Sequence, residues 1–106
     1  MDRQVKWTQA ALGDLEAAAE YIERDSPHYA ASLIMKILAA GRSLSFLSHR
    51  GRRVPQLADP HIRELIVPPY CLICRIDPDA VWVLALVHGR RDCGTVWVDR
   101  DSQTRY

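Results

Sequence analysis

Residues 61–88 read HIRELIV-PP-YCLICRID-PD-AVWVLALVH, and the fold is decided there. Three runs rich in Val, Ile, Leu and aromatic residues, 61–67, 70–77 and 80–88, are parted by Pro68-Pro69 and by Asp77-Pro78-Asp79. Runs of that composition between such breakers are strands. Connections this short join neighbouring strands antiparallel, so the stretch predicts a meander. The third run is apolar on both faces, which predicts a strand inside the sheet rather than at its edge.

Working back toward the N-terminus, residues 27–48 carry Ala30, Leu33, Ile34, Ile37, Leu38, Gly41, Leu44 and Leu47 on one helical stripe. Ser26 is placed to cap this helix and Pro27 fits its first position. Gly41 on the stripe permits close approach of a neighbouring element. Residues 9–24 form a first helix, with Leu12, Leu15, Ala19 and Ile22 on its apolar face and Thr8 as its cap. A turn of three residues between the helices predicts an antiparallel hairpin. Residues 3–7 alternate as a short first strand, with Val5 and Trp7 on one side. Trp7, Tyr21 and Trp82 read as packing residues. The order β-α-α-β-β-β gives an α+β fold, a helical hairpin on one face of a small antiparallel sheet, with the other face partly open. Residues 49–60 read as a loop. In the tail, Thr95–Val98 has the pattern of an edge strand and residues 99–106 that of a frayed end.

A chain of 106 residues with 48% hydrophobic and 25% charged residues is one soluble globular domain, 1–106. No apolar run approaches the roughly 18 residues of a membrane span. The opening MDRQVKWTQ has no apolar leader, so cytoplasmic residence is expected. Cys71, Cys74 and Cys93 do not make a disulfide framework. Cys71 and Cys74 have metal-like spacing, but strand alternation sends their thiols to opposite faces, and no second ligand pair exists. Neither a metal nor a cofactor is expected.

The net charge of +1 conceals an uneven distribution. Residues 49–75 hold five Arg and no Lys against two acids, whereas residues 1–48 and 76–106 each carry one more acid than base. Arginine suits bidentate contacts to carboxylate and phosphate. The basic surplus thus lies on the loop and the first two meander strands.

Taken in order, the strand ending in Trp7-Thr8, the Ala11-x-x-Asp14-Leu15 of the first helix, Tyr21-Ile22, Ser26-Pro27, GRRVPQL, IREL, YCLICRI and the closing VHGRRD resemble the RelE/ParE superfamily of toxins from type II toxin–antitoxin (plasmid stabilisation) modules. The resemblance spans about residues 5–92 and implies the helical hairpin on a small sheet. It also implies a partner, a cognate antitoxin whose disordered, acidic segment wraps the toxin. Two activities occur in the superfamily. RelE-like members cleave mRNA in the ribosomal A site without a metal, and ParE-like members inhibit DNA gyrase.

For a RelE-like nuclease the resemblance makes Arg63, His88 and Arg91 the catalytic candidates. Metal-free RNA cleavage must deprotonate a 2′-hydroxyl, stabilise phosphorane charge and protonate the leaving oxygen. Histidine is a residue type suited to general acid or base work, which makes His88 a candidate for the proton transfers, and the guanidinium groups supply charge. Antitoxin or target contact falls to Arg52, Arg53, Arg63, Arg75, Arg90 and Trp97. The RelE-like set is incomplete, because Cys71 stands where relatives carry a phosphate-stabilising Arg, Cys74 replaces a usual Tyr, and IRELIV lacks the active-site lysines. A thiol does not stabilise phosphorane charge, so gyrase inhibition is the favoured expectation. The alternatives are the ribosome-dependent endonuclease and a non-toxic antitoxin-binding member. Homodimers through the helices or a sheet edge are open to this fold.

Overall fold

Two helices lie across one face of a five-stranded sheet in a computed structural model that describes residues 3–46, 51–54 and 59–89. In chain order the elements are β1 (Gln4–Trp7), α1 (Gln9–Glu23), α2 (Pro27–Ser43), β2 (Arg52–Arg53), β3 (Ile62–Val67), β4 (Tyr70–Ile76) and β5 (Ala80–His88). Both predicted caps are made. The Thr8 hydroxyl accepts from the Ala11 N–H at 3.1 Å, and the Ser26 hydroxyl accepts from the Tyr29 N–H at 3.2 Å. Helix α2 ends at Ser43, short of the expected residue 48. There the Leu44 N–H donates to Gly41 O and the Ser45 N–H to Arg42 O, tightening the last turn while Leu44 remains buried. Leu47 lies outside the described residues.

The sheet order is β1-β5-β4-β3-β2. Strands β3, β4 and β5 form the expected antiparallel meander, and β5 is an interior strand. Two features differ from the sequence expectation. Arg52-Arg53, read as loop, is a short strand antiparallel to β3. The sheet is also mixed, because β1 runs parallel to β5, pairing Gln4 with Ala80 and Trp7 with Val83. The hairpin causes this. It leads the chain out along α1 and back along α2, so that the Arg3 N–H donates to Ser45 O at 2.7 Å. The meander then starts from the end of the sheet where β1 starts, and its third strand must run the same way as β1.

Between helices and sheet lies the main core, with Ile22, Leu33, Ile37, Leu44, Leu72, Val81, Val83 and Leu86 among its buried members. The buried face of α1 is Ala11, Ala18 and Ile22, with Leu15 packed against it, one residue round from the predicted face. Leu12 is exposed. The small alanines let α1 sit close to β5. Gly41 does the same for α2, since a Cβ there would stand 3.2 Å from Cζ2 of Trp7. The opposite face of the sheet is less open than expected. Val54, Ile62, Cys71, Ile73, Ala85 and Val87 form a second buried cluster there.

A β-bulge serves both cores. Ile73 faces Ala85 and Cys74 faces Val83, so Leu84 is an extra residue on β5. Before the bulge Val81 and Val83 enter the helical core. After it Leu86 does, while Leu84, Ala85 and Val87 face the second cluster. The start of α1 satisfies the β5 backbone there. The Thr8 N–H donates to Val83 O, its hydroxyl to Leu84 O, and the Leu86 N–H donates to Asp14 Oδ2 at 3.0 Å.

Candidate functional site

The Arg-rich segment reaches the sheet through Gly51. A Cβ at that position would meet the Glu64 carbonyl oxygen at 3.0 Å, so the glycine lets β2 close onto β3. Register then puts Arg52 opposite Glu64 and Arg53 opposite Arg63. Arg52 Nε donates to Glu64 Oε1 at 2.6 Å. The Glu64 carboxylate is buried and the Arg52 guanidinium largely exposed, so the pair anchors a buried charge from the rim. Arg63 spends its side chain on backbone, with Nε donating to Pro60 O at 3.0 Å and Nη1 to Gly51 O at 3.4 Å. Arg53 is exposed. Three of the predicted contact residues, Arg52, Arg53 and Arg63, therefore share one edge of the sheet.

Arg75 stands apart from them. It bridges Asp77 at 3.2 Å and Asp59 at 3.4 Å, near the end of β4. Adjacent strand positions alternate faces, and Arg75 pairs with Ile62 while Arg63 pairs with Cys74. The two guanidinium groups accordingly leave the sheet on opposite sides. His88 pairs with Tyr70, at the other end of β4 from Arg75. Five residues of strand separate those levels, roughly 17 Å. Arg63, Arg75 and His88 are not gathered into one constellation. Arg90, Arg91 and Trp97 lie outside the described residues, as does the predicted Thr95–Val98 strand.

His88 instead belongs to an aromatic groove between α1 and the far end of the meander. Asp14, Ala17, Tyr21, Tyr70, Leu86 and His88 line a hollow of ≈ 390 Å³. The Tyr70 and His88 rings meet edge to face, 5.2 Å between centroids. Burial raises the Tyr70 phenol above its ordinary range, and neighbouring Tyr21 and Tyr29 push it further the same way. Tyr21, read as a packing residue, is exposed at the groove mouth. Trp82, also read as packing, is half-buried on the sheet's other face beneath Lys6, whose Nζ lies 5.3 Å from the ring centroid.

The two described thiols do not meet. Cys74 belongs to the helical core and Cys71 to the second cluster. Burial pushes the Cys74 thiol up to about 12. Among the described residues no group of three His, Cys, Asp or Glu side chains converges, and no helix is long and apolar enough to cross a membrane. Two carboxylates with structural roles, Glu64 in IREL and Asp14 in Ala-x-x-Asp-Leu, were not assigned those roles from the sequence.

Comparison with known proteins adds the family. The model of the ParE toxin of type II toxin–antitoxin systems matches residues 5–93. Toxin RelE2 of Caulobacter vibrioides is 36% identical over 89 residues, which cover 83% of this chain and 97% of that protein. Among solved structures, a chain of the chromosomal ParDE toxin–antitoxin system from P. aeruginosa superposes with a TM-score of 0.69 at 22% identity, covering 83% of this chain and 97% of that one. A chain of the RelBE2 toxin–antitoxin complex from Mycobacterium tuberculosis gives 0.60 at 20% identity, with coverages of 83% and 92%. At those identities the structures speak for the fold alone.

Proposed function

Because this chain belongs to the ParE toxin family of type II toxin–antitoxin systems, we propose that it acts by binding and inhibiting DNA gyrase rather than by cutting RNA. The separation of Arg63 and His88, two of the three catalytic candidates, carries this reading. General acid–base catalysis of phosphodiester cleavage needs its groups within hydrogen-bond reach of one reacting phosphate. Here Arg63 pairs with Cys74 and His88 with Tyr70, levels four residues apart along β4, roughly 13 Å. Arg52 and Arg75 are also neutralised by carboxylates, and the thiols that replace the family's Arg and Tyr are buried. A toxin that works by occupying a target surface needs none of that convergence.

The antitoxin, a protein partner, docks along two features in this proposal. Its acidic side chains meet the edge formed by Arg52, Arg53 and Arg63, and its apolar side chains fill the Tyr21–Tyr70–His88 groove. Arg75, Arg90 and Trp97 are the remaining contact candidates, for antitoxin or for gyrase.

The deciding experiment pairs two assays on the purified protein. Gyrase supercoiling is inhibited at micromolar concentration, and the cognate antitoxin restores it. Primer extension on ribosome-bound message shows no toxin-dependent A-site cuts. Cuts in the message, abolished by His88→Ala with Arg91→Ala, would replace the reading with the RelE-like endonuclease. Absence of both effects, with no growth arrest on induction, would leave a non-toxic antitoxin-binding member.

A further inference from the structure

The solvent side of the helical hairpin, away from the sheet, carries a second groove of ≈ 390 Å³. Its floor and walls are apolar, built by Ala19 of α1 and by Pro27, Ala31, Ile34 and Met35 of α2, with Glu23 at the rim. Met35 is 70% exposed, the most exposed large apolar side chain among the described residues. A shallow hollow continues from the groove along α1, sharing Ala19 and Glu23 and edged by Glu16 and Glu20.

The rim is an energetic anomaly. From Gln9 to Glu23 helix α1 carries four acids and no Lys or Arg. Glu16 and Glu20 are four residues apart and Glu20 and Glu23 three apart, spacings at which like charges repel. Glu20 and Glu23 also sit at the helix's C-terminal end, where the macrodipole disfavours negative charge. Among the described residues no ion pair relieves any of the three. A local rule broken this way with no ion pair among the described residues points to compensation from a partner.

We propose that this outer groove docks a basic amphipathic helix of a partner protein, distinct from the antitoxin segment. Apolar side chains one turn apart enter between Ala19, Ala31, Ile34 and Met35, in the helix-in-groove mode, and Lys or Arg on the flanking face lies along Glu16, Glu20 and Glu23. Methionine at the lip adapts to the incoming side chains. Charge selects the occupant. An acidic segment is repelled, which directs the antitoxin to the arginine edge. A second copy placed by two-fold symmetry sets one glutamate row against the other. The surface is thus available while the antitoxin is bound.

A fluorescein-labelled Leu/Lys amphipathic peptide of about five helical turns tests this by anisotropy against the full chain. Binding in the micromolar range is expected, weakening about tenfold as salt rises from low to physiological. Replacing Glu16, Glu20 and Glu23 together by Gln, or making Met35→Asp, each lowers affinity at least about tenfold. A peptide of the same composition with its apolar periodicity scrambled, and a Leu/Glu peptide of the original pattern, bind no better than the variants. The toxin–antitoxin complex retains the site. No binding of the Leu/Lys peptide, equal binding of the scrambled peptide, undiminished binding to both variants, or loss of binding in the complex would each overturn the proposal. So would a sedimenting dimer that Met35→Asp dissociates, which would assign the groove to a second copy. None of these readouts depends on gyrase or on RNA.

Discussion

Replacing Asp14 by Ala tests how the helical layer is held to the sheet. The pairing of β1 with β5 ends at Trp7–Val83, and beyond it Asp14 Oδ2 accepts the Leu86 N–H of β5 at 3.0 Å. Leu86 itself is buried. Removing the carboxylate leaves a buried donor short of its acceptor, which costs about 1–3 kcal/mol, toward the upper half for a charged acceptor. An expected loss of about 2 kcal/mol is a large share of the roughly 5–15 kcal/mol that holds a domain of this size. With a urea m-value of about 2 kcal/mol/M, the midpoint falls by about 1 M. Asp14→Asn keeps a carbonyl acceptor in place and recovers most of the loss. Urea titration by circular dichroism reads the midpoint, and amide exchange at Leu86 reads the bond directly. If Asp14→Ala stays within about 0.5 kcal/mol of the parent, or if Asn costs as much as Ala, the carboxylate is not holding the Leu86 N–H and the argument fails.

Three further outcomes follow from the same geometry. Arg52→Ala removes the guanidinium from the buried Glu64 carboxylate and lowers stability by about 2 kcal/mol, less than a fully buried pair would lose because Arg52 is mostly exposed; in a double-mutant cycle with Glu64→Gln, a coupling energy near zero refutes the pairing. Cys74 keeps its proton in the folded state up to about 12, above its ordinary 9.0. Its contribution is therefore complete below pH 9 and is lost as pH rises toward 12; a Cys74→Ala variant has a flatter alkaline stability profile, and an unchanged profile contradicts the assignment. Gly41→Val drives a branched side chain into the Trp7 ring, 3.2 Å from where a Cβ would sit, and costs about 1–3 kcal/mol in thermal denaturation; a neutral substitution would mean that Trp7 moves aside freely.

Much of this architecture was legible because local signals agreed. Thr8, Ser26 and Pro27 marked the helix starts, and the proline breaks marked the meander. Helix α1 was turned by one residue because leucine outweighs alanine in any hydrophobic pattern, whereas the close approach to β5 favours alanine. β5 gave no hint of its bulge, since a strand apolar on both faces reads the same in either phase. The parallel β1–β5 pair was implicit in an out-and-back hairpin followed by three strands, yet no local residue signals a pairing so distant in sequence. The arginines were found by composition. Their division between Glu64, backbone carbonyls, and the Asp59 and Asp77 pair depends on strand register, which a single chain does not display.

The pairing of β1 with β5 also bears on how the protein is made. A ribosome delivers Gln4–Trp7 early, but the strand that completes them emerges only with Ala80–Val83. Until then the hairpin lacks the strand that supplies Val81, Val83 and Leu86 to its core, and contacts of such high sequence separation form late. Chains interrupted before β5 are consequently not weaker versions of the finished molecule; they lack the surface on which Leu86, Tyr70 and His88 come together. Any partner that recognises the aromatic groove distinguishes completed molecules from nascent ones.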